Sequence, residues 1–300
     1  MSFLKILCPT DFSPGSEEAV RVAARFAKAA GAQLVISHAW FVPPLAYAGD
    51  SWPLNSEVID QMLKDDQLAL SSAVESALRL GVSKVDSLLV NGRPGDRIVS
   101  ILREDPAYDL VVVGTRGRTG LKRVLLGSVA EQVVRHAPCS VLVAHACPAD
   151  APIQSVLCPV DFSDSSLRAV NLAAELVAPG GTGITLLHSI ELPTRYGEDA
   201  ALMNIVEQID EQTDLLLENW AAQLRARTGA AVTKRTSRGG AGAQILTALE
   251  QGTFDLVVMG SHGRTGIRRA VLGSVAEKVA RHATCPVLVA RTAGQPEDVS

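Results

Sequence analysis

Two near-copies of one stretch combine glycines, basic residues and a serine at matching intervals: "GTRGRTGLKRVLLGS" over Gly114–Ser128 and "GSHGRTGIRRAVLGS" over Gly260–Ser274. Gly114 directly follows an apolar run, Gly117 and Gly120 lie in the loop, and Gly127-Ser128 opens a helical pattern. A loop running into a helix N-terminus presents unpaired backbone N–H groups, and the helix dipole adds about half a positive charge. Together these make an anion site, suited above all to phosphate. Glycines let the backbone take unusual torsions and let a ligand approach without meeting a Cβ. Arg116, Arg118, Lys122 and Arg123 surround the first loop, and Arg264, Arg268 and Arg269 the second. His262 is the one histidine inside either loop. The chemistry implied is phosphate binding, in two cradles.

A structural reading stands beside it. Ser128 with Glu131, and Ser274 with Glu277, fit the S-x-x-E capping box, which would account for the serines by helix capping alone. It leaves the three glycines and their basic neighbours unexplained. The spacing is neither a Walker A loop nor a Rossmann GxGxxG. No nucleophile, base and orienting group stand together in a pattern that catalysis would need. His136/Cys139 and His282/Cys285 are two ligands apiece, short of a tetrahedral metal site. His136 and His282 read as the C-terminal residues of a helix, where an imidazolium favours the dipole.

The elements that must position these loops repeat as well. "ILCPTDFSPGSEEAV" (Ile6–Val20) matches "VLCPVDFSDSSLRAV" (Val156–Val170), and Leu110–Ala144 matches Leu256–Ala290 at about two-thirds of positions. "NGRPGDRIVSIL" corresponds more loosely to "RGGAGAQILTAL", where "GGAG" replaces "GRPG" and predicts a looser loop. The period is too long for a solenoid unit, so this is a duplicated domain: domain 1 over 1–146 and domain 2 over 152–292. Residues His145–Pro152 read as the linker. Apolar runs such as "LVVVG" and "SVLVA" alternate with helical patterns such as "SEEAVRVAARFAKAAG", which places Ala19, Ala23, Phe26, Ala27 and Ala30 on one face and ends at Gly31. Such alternation indicates parallel βαβ units and a doubly wound α/β class. The third strand of the second copy, near "AVTKRTS", is the weakest in pattern.

Composition narrows the remaining classes. The net charge of −4 argues against a dedicated nucleic-acid binder. No apolar run approaches the ~18–20 residues that cross a bilayer, and the N-terminal run is too short for a signal peptide. The expectation is a cytoplasmic protein. Five cysteines form no disulfide framework; Cys8, Cys139, Cys158 and Cys285 read as small buried hydrophobes, and Cys147 falls in the linker.

The spacing Gly114-x2-Gly117-x9-Gly127-Ser128, repeated as Gly260-x2-Gly263-x9-Gly273-Ser274, resembles the ATP-binding signature of the universal stress protein family. The flanks resemble it too, and the likeness covers nearly the whole chain as two domains in tandem. The resemblance implies Rossmann-like domains of the adenine-nucleotide alpha hydrolase type, each a five-stranded parallel sheet of order 3-2-1-4-5. That order places the ends of strands 1 and 4 together at a topological switch point. It further implies that Asp11 and Asp161 accept hydrogen bonds near a ribose, with Pro9 and Pro159 against the adenosine. Ala39 and Ser189 would meet the adenine through their backbone. Gly114, Arg116, Gly117 and Arg118, and Gly260, His262, Gly263 and Arg264, would wrap the phosphates. Gly127, Ser128 and Val129, and Gly273, Ser274 and Val275, would complete each cradle. For the two aspartates, capping of the first helix is the competing role. The ligand implied is ATP, ADP or AMP, with Mg²⁺ where a carboxylate and phosphates share it. Expected partners are the nucleotide and a regulatory protein, with neither nucleic acid nor membrane. The two lobes are expected to pair through their last strands as an intramolecular pseudo-dimer, with a homodimer of whole chains open. A slow ATP hydrolase and a ligand-free interaction module are the competing functions.

Overall fold

The computed structural model describes residues 3–41, 56–115, 126–145, 153–177, 183–191, 200–263 and 272–291. Linker residues 146–152, Cys147 among them, and the tail 292–300 lie outside the described residues. The chain divides into two compact units, the first built on Met1–Asp150 and the second on Ala151–Arg268 with Leu272–Arg291.

In the first unit, strands β1 (Lys5–Pro9), β2 (Gln33–Trp40), β3 (Val85–Asn91), β4 (Leu110–Gly114) and β5 (Ser140–Ala144) alternate with helices. Those helices are α1 (Pro14–Ala30), α2 (Ser56–Arg79), α3 (Pro94–Glu104) and α4 (Ser128–His136). The strands pair in parallel in the order β3-β2-β1-β4-β5. The second unit repeats the plan with β6 (Ser155–Pro159), β7 (Gly183–Ile190), β8 (Val232–Arg238), β9 (Leu256–Gly260) and β10 (Val287–Ala290). Its helices are α5 (Asp164–Leu176), α6 (Ala200–Thr228), α7 (Ala241–Gln251) and α8 (Ser274–His282). The order β8-β7-β6-β9-β10 is again 3-2-1-4-5, all parallel. Register repeats too: Ile6 faces Leu110 as Val156 faces Leu256, and His38 faces Leu89 as His188 faces Thr236.

Helices cover both faces of each sheet, so the central strands are apolar at successive positions rather than alternating. Ile6, Leu7, Cys8, Leu110, Val111 and Val112 are fully buried, as are Val156, Leu157, Cys158, Val257 and Val258. Helix α1 starts at an N-cap Ser13 with Pro14 in its first turn, and stops at Gly31, whose φ of 68° is left-handed. Ala19, Ala23, Phe26 and Ala27 face the core, while Ala30 is half-buried at the helix end. The polar strand β8 forms as expected. It lies at an edge of its sheet, and its charges meet acids of α6: Lys234 Nζ is 2.9 Å from both Asp214 and Glu218, and Arg238 is 2.5 Å from Asp210. Its hydrophilic composition is thus the signature of an edge rather than of a loop.

The entrance to each first strand is held by an aspartate just before the fourth. Asp255 Oδ2 accepts from the backbone N–H groups of Gln154 and Ser155, each at 2.9 Å. Asp109 Oδ2 does the same for Leu4 at 2.6 Å. Asp255→Ala is expected to cost the second unit about 1–2 kcal/mol, because charge-assisted bonds to backbone are among the stronger ones. Urea unfolding followed by far-ultraviolet circular dichroism checks this; an unchanged midpoint would count against the clip.

Cys8, Cys139, Cys158 and Cys285 are all buried. Burial pushes the Cys8 and Cys158 thiols far above their ordinary range. A Cys147→Ser variant is therefore expected to leave no thiol that reacts rapidly with an aromatic disulfide reagent in the native state, and four after denaturation. A fast-reacting thiol in the native variant would contradict the packing.

Candidate functional site

Each crevice begins with a turn after the first strand. Pro9 and Pro159 end β1 and β6, and Asp11 and Asp161 follow two residues later. Asp11 Oδ1 accepts from the Ser13 backbone N–H at 3.1 Å and from its hydroxyl at 2.5 Å. Asp161 Oδ1 does so from Ser163 at 3.1 and 2.6 Å. Ser13 and Ser163 are the N-caps of α1 and α5, accepting from Ser16 N–H and Ser166 N–H. The aspartates are therefore not the caps themselves; each buttresses the serine that is. Behind them, Ser16 Oγ accepts from the Asp11 N–H at 3.3 Å and donates to the Ser13 carbonyl at 2.9 Å. Ser166 repeats the arrangement around Asp161.

The glycines answer to close approach. A Cβ on Gly114, at the end of β4, would lie 2.5 Å from the Gly15 carbonyl oxygen in α1. A Cβ on Gly260 would lie 2.5 Å from Ser165 Oγ. A Cβ on Gly263 would come within 3.0 Å of Asp161 Oδ2, so this loop glycine sits directly against the acid. The Gly127 N–H donates to the Thr115 carbonyl at 2.9 Å and the Gly273 N–H to the Ser261 carbonyl at 2.8 Å, tying each helix start to the end of the fourth strand. Next to it, Ser261 Oγ is 3.0 Å from His262 Nδ1, while His262 Nε2 is buried with no hydrogen-bond partner among the described residues.

The capping-box reading is corrected. The N-caps of α4 and α8 are Gly127 and Gly273, without a side-chain capping bond, and Ser128 and Ser274 are the first helical residues. A capping box needs its serine at the N-cap and its glutamate at the third helical position; here the pair keeps its spacing but sits one place further into the helix. Glu131 and Glu277 instead pair forward with Arg135 at 2.9 Å and Arg281 at 3.0 Å. The first N–H groups of both helices are thereby left without a side-chain acceptor of the capping kind. His136 and His282 end these helices as expected. The two loops before α3 and α7 share one backbone shape: Arg93 and Gly240, the N-caps, have φ/ψ of −61/127° and −63/125°, and Gly92 and Gly239 have φ of 129° and 124°. The loss of proline has not altered that shape.

In the second unit these parts enclose one cavity of about 230 Å³ at the carboxyl ends of β6 and β9. Pro159, Asp161, Ser189, Gly260, His262, Gly263, Gly273, Ser274 and Val275 all line it. Arg264 lies outside the described residues, as do Arg116, Gly117 and Arg118 in the first loop. In the first unit, Pro9, Asp11 and Gly114 occupy the same topological positions, Ala39 lies in β2, and Gly127, Ser128 and Val129 open α4. Sequence reasoning missed Ser166, Ala241, Ile245 and Met259 of the lining. Ala241 brings a second helix N-terminus, that of α7, to the cavity; the strand-to-helix transition at "SRGGAGAQIL" was the available signal. Met259 precedes the glycine of β9 and is visible as a lining residue only once the sheet order is known.

Two doubly wound α/β lobes, each with an aspartate turn at the switch point beside the end of its fourth strand, and in the second a glycine against that aspartate, define a tandem protein. The sequence model of the universal stress protein family matches it twice, over residues 2–145 and 152–291, and the chain belongs to that family. It is 31% identical to universal stress protein Rv2623 of Mycobacterium tuberculosis over 307 residues, 97% of each chain. It is 40% identical to universal stress protein MJ0531 of Methanocaldococcus jannaschii over 144 residues, 47% of this chain and 81% of that one. Among solved structures, a universal stress protein from Archaeoglobus fulgidus shares the fold with a TM-score of 0.67 at 21% identity, covering 97% of this chain and 99% of that one. Membership associates the chain with stress-related roles. No helix among the described residues is long and apolar enough to cross a membrane.

Proposed function

We propose that the chain binds an adenine nucleotide, ATP or its ADP or AMP form, and acts as a nucleotide-responsive regulatory factor in the cytoplasm. The observation that carries this reading is the second-unit cavity, where an acid, three loop glycines and two helix N-termini converge. Phosphates would meet the N–H groups at the start of α8 and the loop Gly260–Gly263, where glycine leaves the backbone uncovered. Asp161 Oδ2 faces that loop, the placement a ribose hydroxyl would use. The unpartnered His262 Nε2 is a further polar group awaiting a partner. Magnesium, if carried in with the nucleotide, would be shared between Asp161 and phosphate oxygens. The first unit keeps the same aspartate and glycines, so the proposal extends to it. Pairing of the two lobes through β5 and β10, and a regulatory partner, belong to the same proposal.

Isothermal titration of the full chain with ATP tests it. Saturable heat is the expected result. Absence of heat, together with absence of adenine nucleotide in the supernatant of the denatured protein, would overturn the reading.

A further inference from the structure

We infer that Phe12 and Phe162, each with the histidine against its ring, are positioning residues that hold the crevice aspartates in place. Among the described residues these two are the non-glycine residues with positive φ, 60° and 64°. A phenylalanine there is strained, and glycine would take the same torsions freely. The same strained residue stands in both copies, immediately after the aspartate. The Phe12 ring stacks on His38 with centroids 4.4 Å apart and planes at 29°. Phe162 lies against His188 at 4.8 Å and 38°.

Both histidines are buried, and each holds the other flank of its aspartate. His38 Nδ1 is 2.7 Å from the Thr10 carbonyl oxygen, and His188 Nδ1 is 2.6 Å from that of Val160. The carbonyl accepts, so Nδ1 carries the proton in each ring. One histidine from the second strand therefore grips the residue before the aspartate by a hydrogen bond and the residue after it by ring contact. The outer brace differs between copies. In the first, His38 Nε2 lies 3.6 Å from Asp66 of α2; in the second, the Trp220 indole of α6 meets the Phe162 ring edge-on at 5.5 Å. The braces have been exchanged and the phenylalanine–histidine pair kept. Its consequence for ligand affinity rests on the nucleotide reading above; its consequence for the turn does not.

The test uses Phe162→Gly and Phe162→Tyr in the full chain. Glycine removes the ring and relieves the torsion, so a purely backbone role predicts no harm. The expected result is that Phe162→Gly speeds hydrogen exchange of the Ser163 amide about tenfold, with amides of β6 and β7 unchanged, because a local opening is all that is released. The Kd for ATP is expected to rise about tenfold, and Phe162→Tyr, which keeps the ring, restores both readouts. Wild-type exchange at Ser163 in the glycine variant, uniform acceleration across the unit, or unchanged affinity in a chain that binds ATP would overturn the inference. A wild type that ignores ATP would end the nucleotide reading, and the Ser163 exchange would then decide the positioning role by itself.

Discussion

Replacing Gly114 with alanine is expected to lower the unfolding free energy of the first unit by about 2–3 kcal/mol, the range of a core position forced apart by added volume. The added Cβ would lie 2.5 Å from the Gly15 carbonyl oxygen and 3.0 Å from its carbon. Both obstacles are backbone in the first turn of α1, so no side chain can swing aside. The helix as a whole must shift off β4, disturbing the contacts of Ala19, Ala23 and Phe26. Gly31→Ala supplies the comparison. Nothing lies within 4 Å of a Cβ there, and the opposition is the left-handed φ of 68° alone. Its cost is expected to be about 1 kcal/mol. Urea unfolding of the two variants in parallel tests the difference; equal losses would mean that crowding at Gly114 has been overstated.

Asp161→Asn is expected to weaken ATP binding to the second unit ten- to a hundredfold while leaving thermal stability close to wild type. The asparagine oxygen can still accept from the Ser163 N–H and hydroxyl, now 3.1 and 2.6 Å from Oδ1, so the support of α5 survives. What goes is the charge on the second carboxylate oxygen, the one that faces Gly263. A hydrogen bond to a charged group contributes about 1.5–3 kcal/mol, which converts to that range of affinity. Titration calorimetry and a thermal melt on one preparation separate the two roles. Unchanged affinity would leave Asp161 as a buttress of the helix cap and nothing more.

Class and duplication could be reached from the amino-acid order for a physical reason, whereas the sheet order came only from the family resemblance. Strands covered on both faces are apolar at every position, as in "LVVVG", and the glycine after such a run marks where backbone meets backbone. The competing capping readings failed on offsets of one or two residues. Ser128 and Ser274 stand one place too far along for a capping box, and Asp11 and Asp161 two places too early to be caps. Pattern reading assigns the element correctly and misses its first residue, because the N-cap is decided by torsions that spacing does not carry. Ile245 and Met259 read as ordinary core and line the cavity because of the sheet order. The phenylalanine–histidine pairs were illegible for the same reason: the phenylalanine sits in the turn after the first strand and the histidine on the second, and a positive φ at phenylalanine leaves no mark on composition.

The strand registers also record where this protein has tolerated growth. His38 faces Leu89 and His188 faces Thr236, yet the chain between the paired residues is three positions shorter in the second copy. Both ends stayed in step while the path between them changed length, through the segment that contains α2 or α6. That crossover is accordingly the place for a protein engineer to splice in a reporter peptide, at a distance in sequence from every glycine of the two loops.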